Sequence, residues 1–108
     1  MSFSIIATPK FKRELKRLAK KYPSLKDEYS ELIEQLGDNP KFGTSIGHDC
    51  YKIRLSIASK GKGKSGGARV ITYVYIEGTV VFLISIYDKS DRSNISDTEL
   101  LNLLKEIE

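Results

Sequence analysis

The chain has very little of the two residue types that build disulfides and most transition-metal sites. Its 108 residues include one cysteine, Cys50, and one histidine, His48. A lone cysteine excludes an internal disulfide and gives no metal-ligand spacing, and no suitable cluster of histidines and carboxylates accompanies it. We therefore expect no metal, no small-molecule cofactor and a reducing, cytoplasmic environment.

Long hydrophobic runs are also missing. No segment approaches the roughly 20 apolar residues that cross a bilayer, and the N-terminus lacks the charged-then-apolar order of a signal peptide. We predict no membrane association. The length predicts one domain over residues 1–108 with a single modest core.

What the chain does have is positive charge. Eighteen lysines and arginines against 14 acidic residues give a net charge of +4, which favours an anionic partner. The densest segment, residues 60–69, is KGKGKSGGAR, in which glycines separate the basic residues. Glycine lets the backbone lie close to a ligand, so we predict a surface loop that contacts phosphate through Lys60, Lys62 and Lys64. A solvated hairpin tip is the alternative.

Hydrophobic spacing predicts three helices. Thr8 suits an N-cap before Pro9, and the helical pattern ends at Pro23. Ser24 is a weak start for a second helix, with Gly37 just past its end. Residues 96–99, Ser-Asp-Thr-Glu, form a capping box that opens the last helix.

Alternation and apolar runs predict four strands, near residues 3–6, 51–55, 68–75 and 79–86, with Lys41–Asp49 as a loop. Glu77-Gly78 favours a tight turn. The order is β-α-α-β-β-β-α. This predicts an α+β domain: an antiparallel sheet with two N-terminal helices and one C-terminal helix packed against it.

Candidate functional residues lie where these strands begin and end. Period two places Lys52 and Arg54 on one face of their strand, opposite the apolar residues. Arg69 opens the next strand, and Tyr87 and Lys89 follow the central one. Successive strands of a meander are neighbours, so we expect these five side chains to converge.

Such a cluster suits RNA cleavage by attack of the 2′-hydroxyl. Clustered ammonium groups lower one another's pKa, so a lysine can act as general base. Arginine binds a phosphate through two hydrogen bonds, and Tyr87 is suited to stack on a base or assist proton transfer. Each residue also has a plain interpretation: Lys52 and Arg54 as a solvated strand face, Tyr87 as a strand-end aromatic, and residues 88–92 as surface polar groups.

Three segments together resemble a known family. They are Asp49 to Leu55, Gly67 to Ile71 and Val81 to Tyr87, and they resemble the RelE/ParE superfamily of bacterial type II toxins. The loop from Ala58 to Gly67 and the Ile86-Tyr87-Asp88-Lys89 segment are more similar to the HigB-type branch. The resemblance implies a metal-independent endoribonuclease that cleaves mRNA in the A site of the 70S ribosome, held inactive by a cognate antitoxin.

The resemblance also implies active-site roles for the charged residues Lys52, Arg54, Arg69 and Lys89. The better-known pattern has lysine where Arg54 stands and arginine where Lys89 stands. Because arginine stays protonated, the base role passes to Lys52 or to a loop lysine, with Lys64 as our candidate.

The family's C-terminal tyrosine has no match, because Ile95 falls at that position. The resemblance therefore implies that Tyr87 takes its place.

Two other functions fit the same sequence. A ParE-like inhibitor of DNA gyrase would share the fold and lack nuclease chemistry, but it would not require so many cations in the predicted site. A module that only grips phosphate would bind RNA in a strongly salt-dependent way and leave it intact.

Overall fold

A five-stranded sheet forms the centre of the protein in the computed structural model, which describes residues 3–60, 67–92 and 94–107. The strand order is β1-β5-β4-β3-β2. The predicted α+β class, with two helices before the main strands and one after them, is confirmed. The elements are β1 (Ser4–Ala7), α1 (Pro9–Lys21), α2 (Leu25–Asp38), β2 (Thr44–Gly47), β3 (Cys50–Leu55), a 3₁₀ turn (Ala58–Lys60), β4 (Ala68–Tyr75), β5 (Val80–Asp88) and α3 (Asp97–Lys105).

Two predictions about the sheet were wrong. The segment predicted as a loop from Lys41 to Asp49 contains the edge strand β2, which folds back on β3 through residues with positive φ at Gly47, His48 and Asp49. This strand is mostly exposed, so it carries no apolar alternation that would have revealed it. The sheet is also not wholly antiparallel, because β1 pairs with β5 in parallel.

The helices lie on both faces of the sheet. The pair α1 and α2 packs on one face, where Phe11 and Leu36 are fully buried, and α3 packs on the other, through Leu100 and Leu103. The apolar residues therefore form two clusters, one on each side, and not the single core that the length suggested. We call these faces the α1/α2 face and the α3 face.

The helix ends only partly follow the sequence signals. Thr8 and Ser96 accept hydrogen bonds from the backbone N–H groups of Phe11 and Glu99, as predicted for N-caps. Ser24 makes no such cap, and α2 continues through Gly37 to Asp38, so the predicted stop at Gly37 was wrong. Within the described residues, no helix combines the length and apolarity needed to cross a membrane.

The position of Gly37 inside α2 gives a stability test. Its φ is not in the left-handed region, and an added Cβ would meet only Phe3 O, at 3.9 Å. Because alanine favours a helix interior over glycine, we expect Gly37→Ala to raise the free energy of unfolding by about 0.5–1 kcal/mol. Urea denaturation measures it. A loss of stability would instead place Gly37 beyond the helix end, in the conformation that favours glycine.

Candidate active site

The strand register brings three of the candidate residues into one row. Arg54 of β3 lies opposite Arg69 of β4, and Arg69 lies opposite Tyr87 of β5. Directly opposed residues on antiparallel strands point to the same face. Lys52 lies two residues before Arg54 and so shares that face. We call Arg54, Arg69 and Tyr87 the Arg–Arg–Tyr row; it lies on the α3 face.

A β-bulge in β5 places Tyr87 in this row. Strict alternation from Leu83, which packs on the α1/α2 face, would turn Tyr87 to that same face. The β4–β5 register instead shifts by one residue, with Ile71 opposite Ser85 and Thr72 opposite Leu83. The extra residue exchanges the two faces beyond it. Tyr87 consequently packs in the α3 cluster, beside the two arginines.

Glu14 of α1 supports the bulge. The parallel partner β1 ends at Ala7, opposite Leu83, so beyond this point no strand among the described residues pairs with β5 on that side. There the Glu14 carboxylate accepts hydrogen bonds from Ser85 Oγ at 3.1 Å and from Ile86 N at 3.2 Å. The side chain thus takes the place of the missing strand and satisfies the backbone where the faces exchange.

The row brings together two positive charges that the described residues do not neutralise. In antiparallel pairs the Cβ atoms of opposed residues are about 4.5–5.5 Å apart, and like charges at this position are destabilising. Among the residues that the structure describes, no carboxylate forms an ion pair with Arg54 or Arg69. Arg69 is only 4% exposed, and its side chain donates one hydrogen bond within the described residues, from Nη1 to Ala68 O at 3.1 Å. An anionic ligand would relieve this repulsion.

Tyr87 adds a buried hydroxyl. Its side chain is 7% exposed, and its Oη atom has no hydrogen-bond partner among the described residues. The other such atom in this part of the chain is Thr72 Oγ1, at the bulge. Burial raises the pKa of Tyr87, while nearby Arg92 and Arg69 oppose the shift. The phenol therefore keeps its proton at neutral pH and is suited to donate a hydrogen bond, not to act as a base.

Two residues that sequence reasoning did not select, Arg92 and Asn94, lie beside the row. Arg92 Cζ lies 4.9 Å from the centroid of the Tyr87 ring, a cation–π distance. The Asn94 side chain accepts a 3.1 Å hydrogen bond from Lys52 Nζ. The sequence alone indicated that Arg92 was a surface charge. The turn after β5 places its guanidinium over the Tyr87 ring.

Glu99 of α3 holds Arg92 through two hydrogen bonds: Nη2 to Oε1 at 2.5 Å and Nη1 to Oε2 at 2.9 Å. These bonds lower the pKa of Glu99 and raise the pKa of Arg92, so the pair remains charged over the physiological range.

The remaining cationic candidates are placed less fully. Lys89 follows the end of β5, and its backbone N–H donates to Gly67 O at 3.1 Å, so it lies at the root of the lysine–glycine loop. Lys62 and Lys64 lie outside the described residues, as does the side chain of Lys60. Their predicted contacts with RNA remain predictions.

Gly67 closes the loop where two strands come very near each other. An added Cβ there would lie 2.3 Å from Leu55 O, so any larger residue at position 67 would clash with this carbonyl. At the other end, Ser59 N donates to Ser24 Oγ at 2.9 Å and Ala58 N donates to Glu28 Oε2 at 2.7 Å. Both roots of the loop are thus fixed to the fold.

Asp88, Cys50 and His48 are not part of the Arg–Arg–Tyr row. Asp88 faces the α1/α2 side, where it accepts a 2.8 Å hydrogen bond from Tyr22 Oη. Cys50 is fully buried, and burial raises its pKa to about 12. His48 is exposed and lies 3.2 Å from Asp97. Within the described ranges, no group of three His, Cys, Asp or Glu side chains is arranged to hold a metal ion.

Solved structures similar to this chain include a RelE toxin and toxin–antitoxin complexes. A free, doubly substituted RelE from E. coli aligns over 100% of both chains with 20% identity and a TM-score of 0.66. The E. coli RelBE toxin–antitoxin complex aligns over 79% of this chain and 94% of that chain, with 23% identity and a TM-score of 0.60. RelBE2 of Mycobacterium tuberculosis aligns over 82% and 99%, with 16% identity and a TM-score of 0.61. At these identities the likeness defines a RelE-like fold.

The assignment of this chain to a family comes from a separate match. The model of the RelE toxin of the RelE/RelB toxin–antitoxin system matches residues 9–107, nearly the whole chain. The chain belongs to this family of toxins, which confirms the resemblance noted in the sequence. The match does not separate the HigB-like branch from the others, so that assignment stays a prediction.

The unpaired Tyr87 hydroxyl gives a test with an internal control. A buried hydroxyl without a partner costs about 1–3 kcal/mol, so we expect Tyr87→Phe to leave the free energy of unfolding unchanged or to raise it by about 1 kcal/mol. Tyr22→Phe removes a partner of the buried Asp88 carboxylate and should lower it by about 1–3 kcal/mol. Urea unfolding compares the two variants. Equal losses would mean that the Tyr87 hydroxyl is paired within the protein.

Proposed function

We propose that this toxin is an endoribonuclease that cleaves mRNA, bound in the A site of the 70S ribosome, at the Arg–Arg–Tyr row. Supporting this are the family membership, the net charge of +4 and the two arginines that face each other without a carboxylate among the described residues. The last observation carries most of the weight. The fold gains no stability from the side chains of Arg54 and Arg69 lying opposite each other, whereas a bound phosphodiester would offset their repulsion.

The proposed reaction is an internal transfer. The 2′-oxygen loses its proton to a general base and attacks the adjacent phosphorus, the bond from phosphorus to the 5′-oxygen breaks, and that oxygen takes up a proton. The products are a 2′,3′-cyclic phosphate and a 5′-hydroxyl. Charge accumulates on the non-bridging oxygens, where preorganised donors are most effective.

The residues of the site divide this work. Arg69 and Arg54 bind the non-bridging oxygens, and Tyr87 donates a hydrogen bond to the same group or to the leaving oxygen. Lys52 or a loop lysine, Lys64, accepts the 2′ proton. Lys60 and Lys62 hold the RNA backbone, and Lys89 at the loop root adds positive charge.

Substitution of the arginines tests this proposal. We expect Arg69→Gln and Arg54→Gln each to lower the cleavage rate on ribosomes programmed with mRNA by about 10²–10³-fold, because each removes a donor to the phosphorane. Arg54 is exposed, so its substitution keeps the fold even if the buried Arg69 is needed for stability.

Lys105→Gln is the matched control, since it removes an exposed cation from the last turn of α3. We expect it to cleave at the wild-type rate. Wild-type rates for both arginine variants would refute the proposed site. Tight RNA binding without any product from the wild type would leave only a phosphate-binding module, and gyrase inhibition without cleavage would favour a ParE-like activity.

We also propose a cognate antitoxin as partner. The family description names a toxin–antitoxin system, and the E. coli RelBE and M. tuberculosis RelBE2 structures noted above are toxin–antitoxin complexes. A groove of about 840 Å³ between α1 and α2 suits an acidic amphipathic helix. Its floor is partly apolar, with Leu15 and Tyr29, and its rim carries Lys12, Lys16, Lys20 and Lys26.

Charge reversal on the rim tests the partner. We expect Lys16→Glu with Lys20→Glu to weaken binding of the protein encoded beside this toxin by at least about tenfold at low salt, because like charges would then face each other. Calorimetry measures the affinity. Lys105→Glu, an exposed lysine of α3, serves as the control. Equal affinities for the two variants would place the antitoxin elsewhere.

A further inference from the structure

We infer that Arg92, locked by Glu99, is a positioning residue for two groups of the active site: it braces the Tyr87 ring directly and orients Lys52 through Asn94. This inference rests on the proposed nuclease function. It assigns the general base to Lys52, a choice that the sequence left open between Lys52 and a loop lysine.

The hydrogen bonds of Arg92 exclude it as the main phosphate ligand. Its Nε and Nη2 donate to Asn94 O at 3.1 and 2.9 Å, and Nη1 and Nη2 donate to the two carboxylate oxygens of Glu99. Four of the five N–H groups of a guanidinium are thus already used. Arg69 donates a single hydrogen bond among the described residues, to Ala68 O, so its other N–H groups remain for substrate.

The same bonds fix Asn94, which in turn holds Lys52. Arg92 clamps the backbone carbonyl of Asn94, while the side-chain Oδ1 of Asn94 accepts from Lys52 Nζ at 3.1 Å. Asn94 is therefore the link between a fixed guanidinium and a long, otherwise adaptable lysine. The start of α3 supports this link, because Ser96 caps the backbone N–H of Glu99 at 3.1 Å.

Several other charges face this region and bear on any pH dependence. On the α3 face, the strands contribute two further arginines and a phenol, and the start of α3 contributes two acidic residues. The turn between β2 and β3 adds a histidine. They are Arg54 of β3, Arg69 of β4, Tyr87 of β5, Glu99 and Asp97 of α3, and His48, which pairs with Asp97. None of them is altered by a substitution at Asn94, so such a variant isolates the contact to Lys52.

Two variants of Asn94 test the link. Asn94→Ala removes the side-chain acceptor that holds Lys52 Nζ. Asn94→Asp keeps an acceptor at this position and adds a negative charge, which should move the midpoint of the pH–rate profile to higher pH. We expect both variants to lower kcat, by about 10–100-fold at pH 7, with little change in KM, because misplacement of a reacting group by about 1 Å costs up to about 100-fold.

The brace itself is tested by Glu99→Gln, with Asp97→Asn as matched control. Both carboxylates lie in the first turn of α3, but Asp97 is 71% exposed and contacts only His48 among the described residues. We expect Glu99→Gln to lower kcat by roughly tenfold or more and Asp97→Asn to leave it unchanged. Thermal unfolding of each variant checks that the fold is kept.

The outcomes separate this inference from the function on which it rests. Cleavage by the wild type, together with a wild-type kcat for Asn94→Ala and a wild-type pH–rate profile for Asn94→Asp, would overturn the assignment of Lys52 and its orientation while the nuclease stood. Equal rates for Glu99→Gln and Asp97→Asn would overturn the brace. Absence of cleavage by the wild type on programmed ribosomes would refute the nuclease itself.

Discussion

The site depends on one constraint, the register that holds Arg54 opposite Arg69. One residue along, on the α1/α2 face, Ile53, Val70 and Ile86 are opposed in the same way and are each at most 1% exposed. Burying such a side chain is worth about 1.5–3 kcal/mol. Like charges across a strand pair cost at most about 1 kcal/mol. Because a slip of one residue would expose the whole apolar row, hydrophobic burial keeps the two arginines together.

The two faces of the sheet therefore have different tasks. The α1/α2 face supplies most of the buried side chains, and α1 also supplies Glu14, which satisfies β5 at the bulge. The bulge brings Tyr87 to the opposite face. On that face the α3 cluster is smaller, and the polar side chains of Arg54 and Arg69 lie beside it. Stability on one face thus supports a charged arrangement on the other that would not be stable alone.

Much of this could be predicted from the sequence because the signals were local. Alternation in residues 51–55 placed Lys52 and Arg54 on one face, and Thr8 and Ser96 marked two helix starts, as the structure has them. These features depend on residues close together in the chain. The convergence of Arg54, Arg69 and Tyr87 followed from the expectation that successive strands pair.

Other features depend on contacts that no local pattern records. The bulge lies inside an almost unbroken apolar run, where residues of both faces look alike. Arg92 reaches Tyr87 only because the chain turns back after Asp88, and its partner Glu99 already had a local role in the capping box. The strand β2 is polar and exposed, so it is identified only by its pairing with β3.

The most direct measurement concerns the 2′-hydroxyl that the proposed reaction consumes. Ribosomes would be programmed with two mRNAs that differ by a single 2′-deoxy nucleotide immediately before the cleaved bond. If the Arg–Arg–Tyr row stabilises attack by the 2′-hydroxyl, the unmodified mRNA is cut to fragments with a 2′,3′-cyclic phosphate and a 5′-hydroxyl. The 2′-deoxy mRNA then stays intact at that bond. Equal cleavage of both messages would contradict the account.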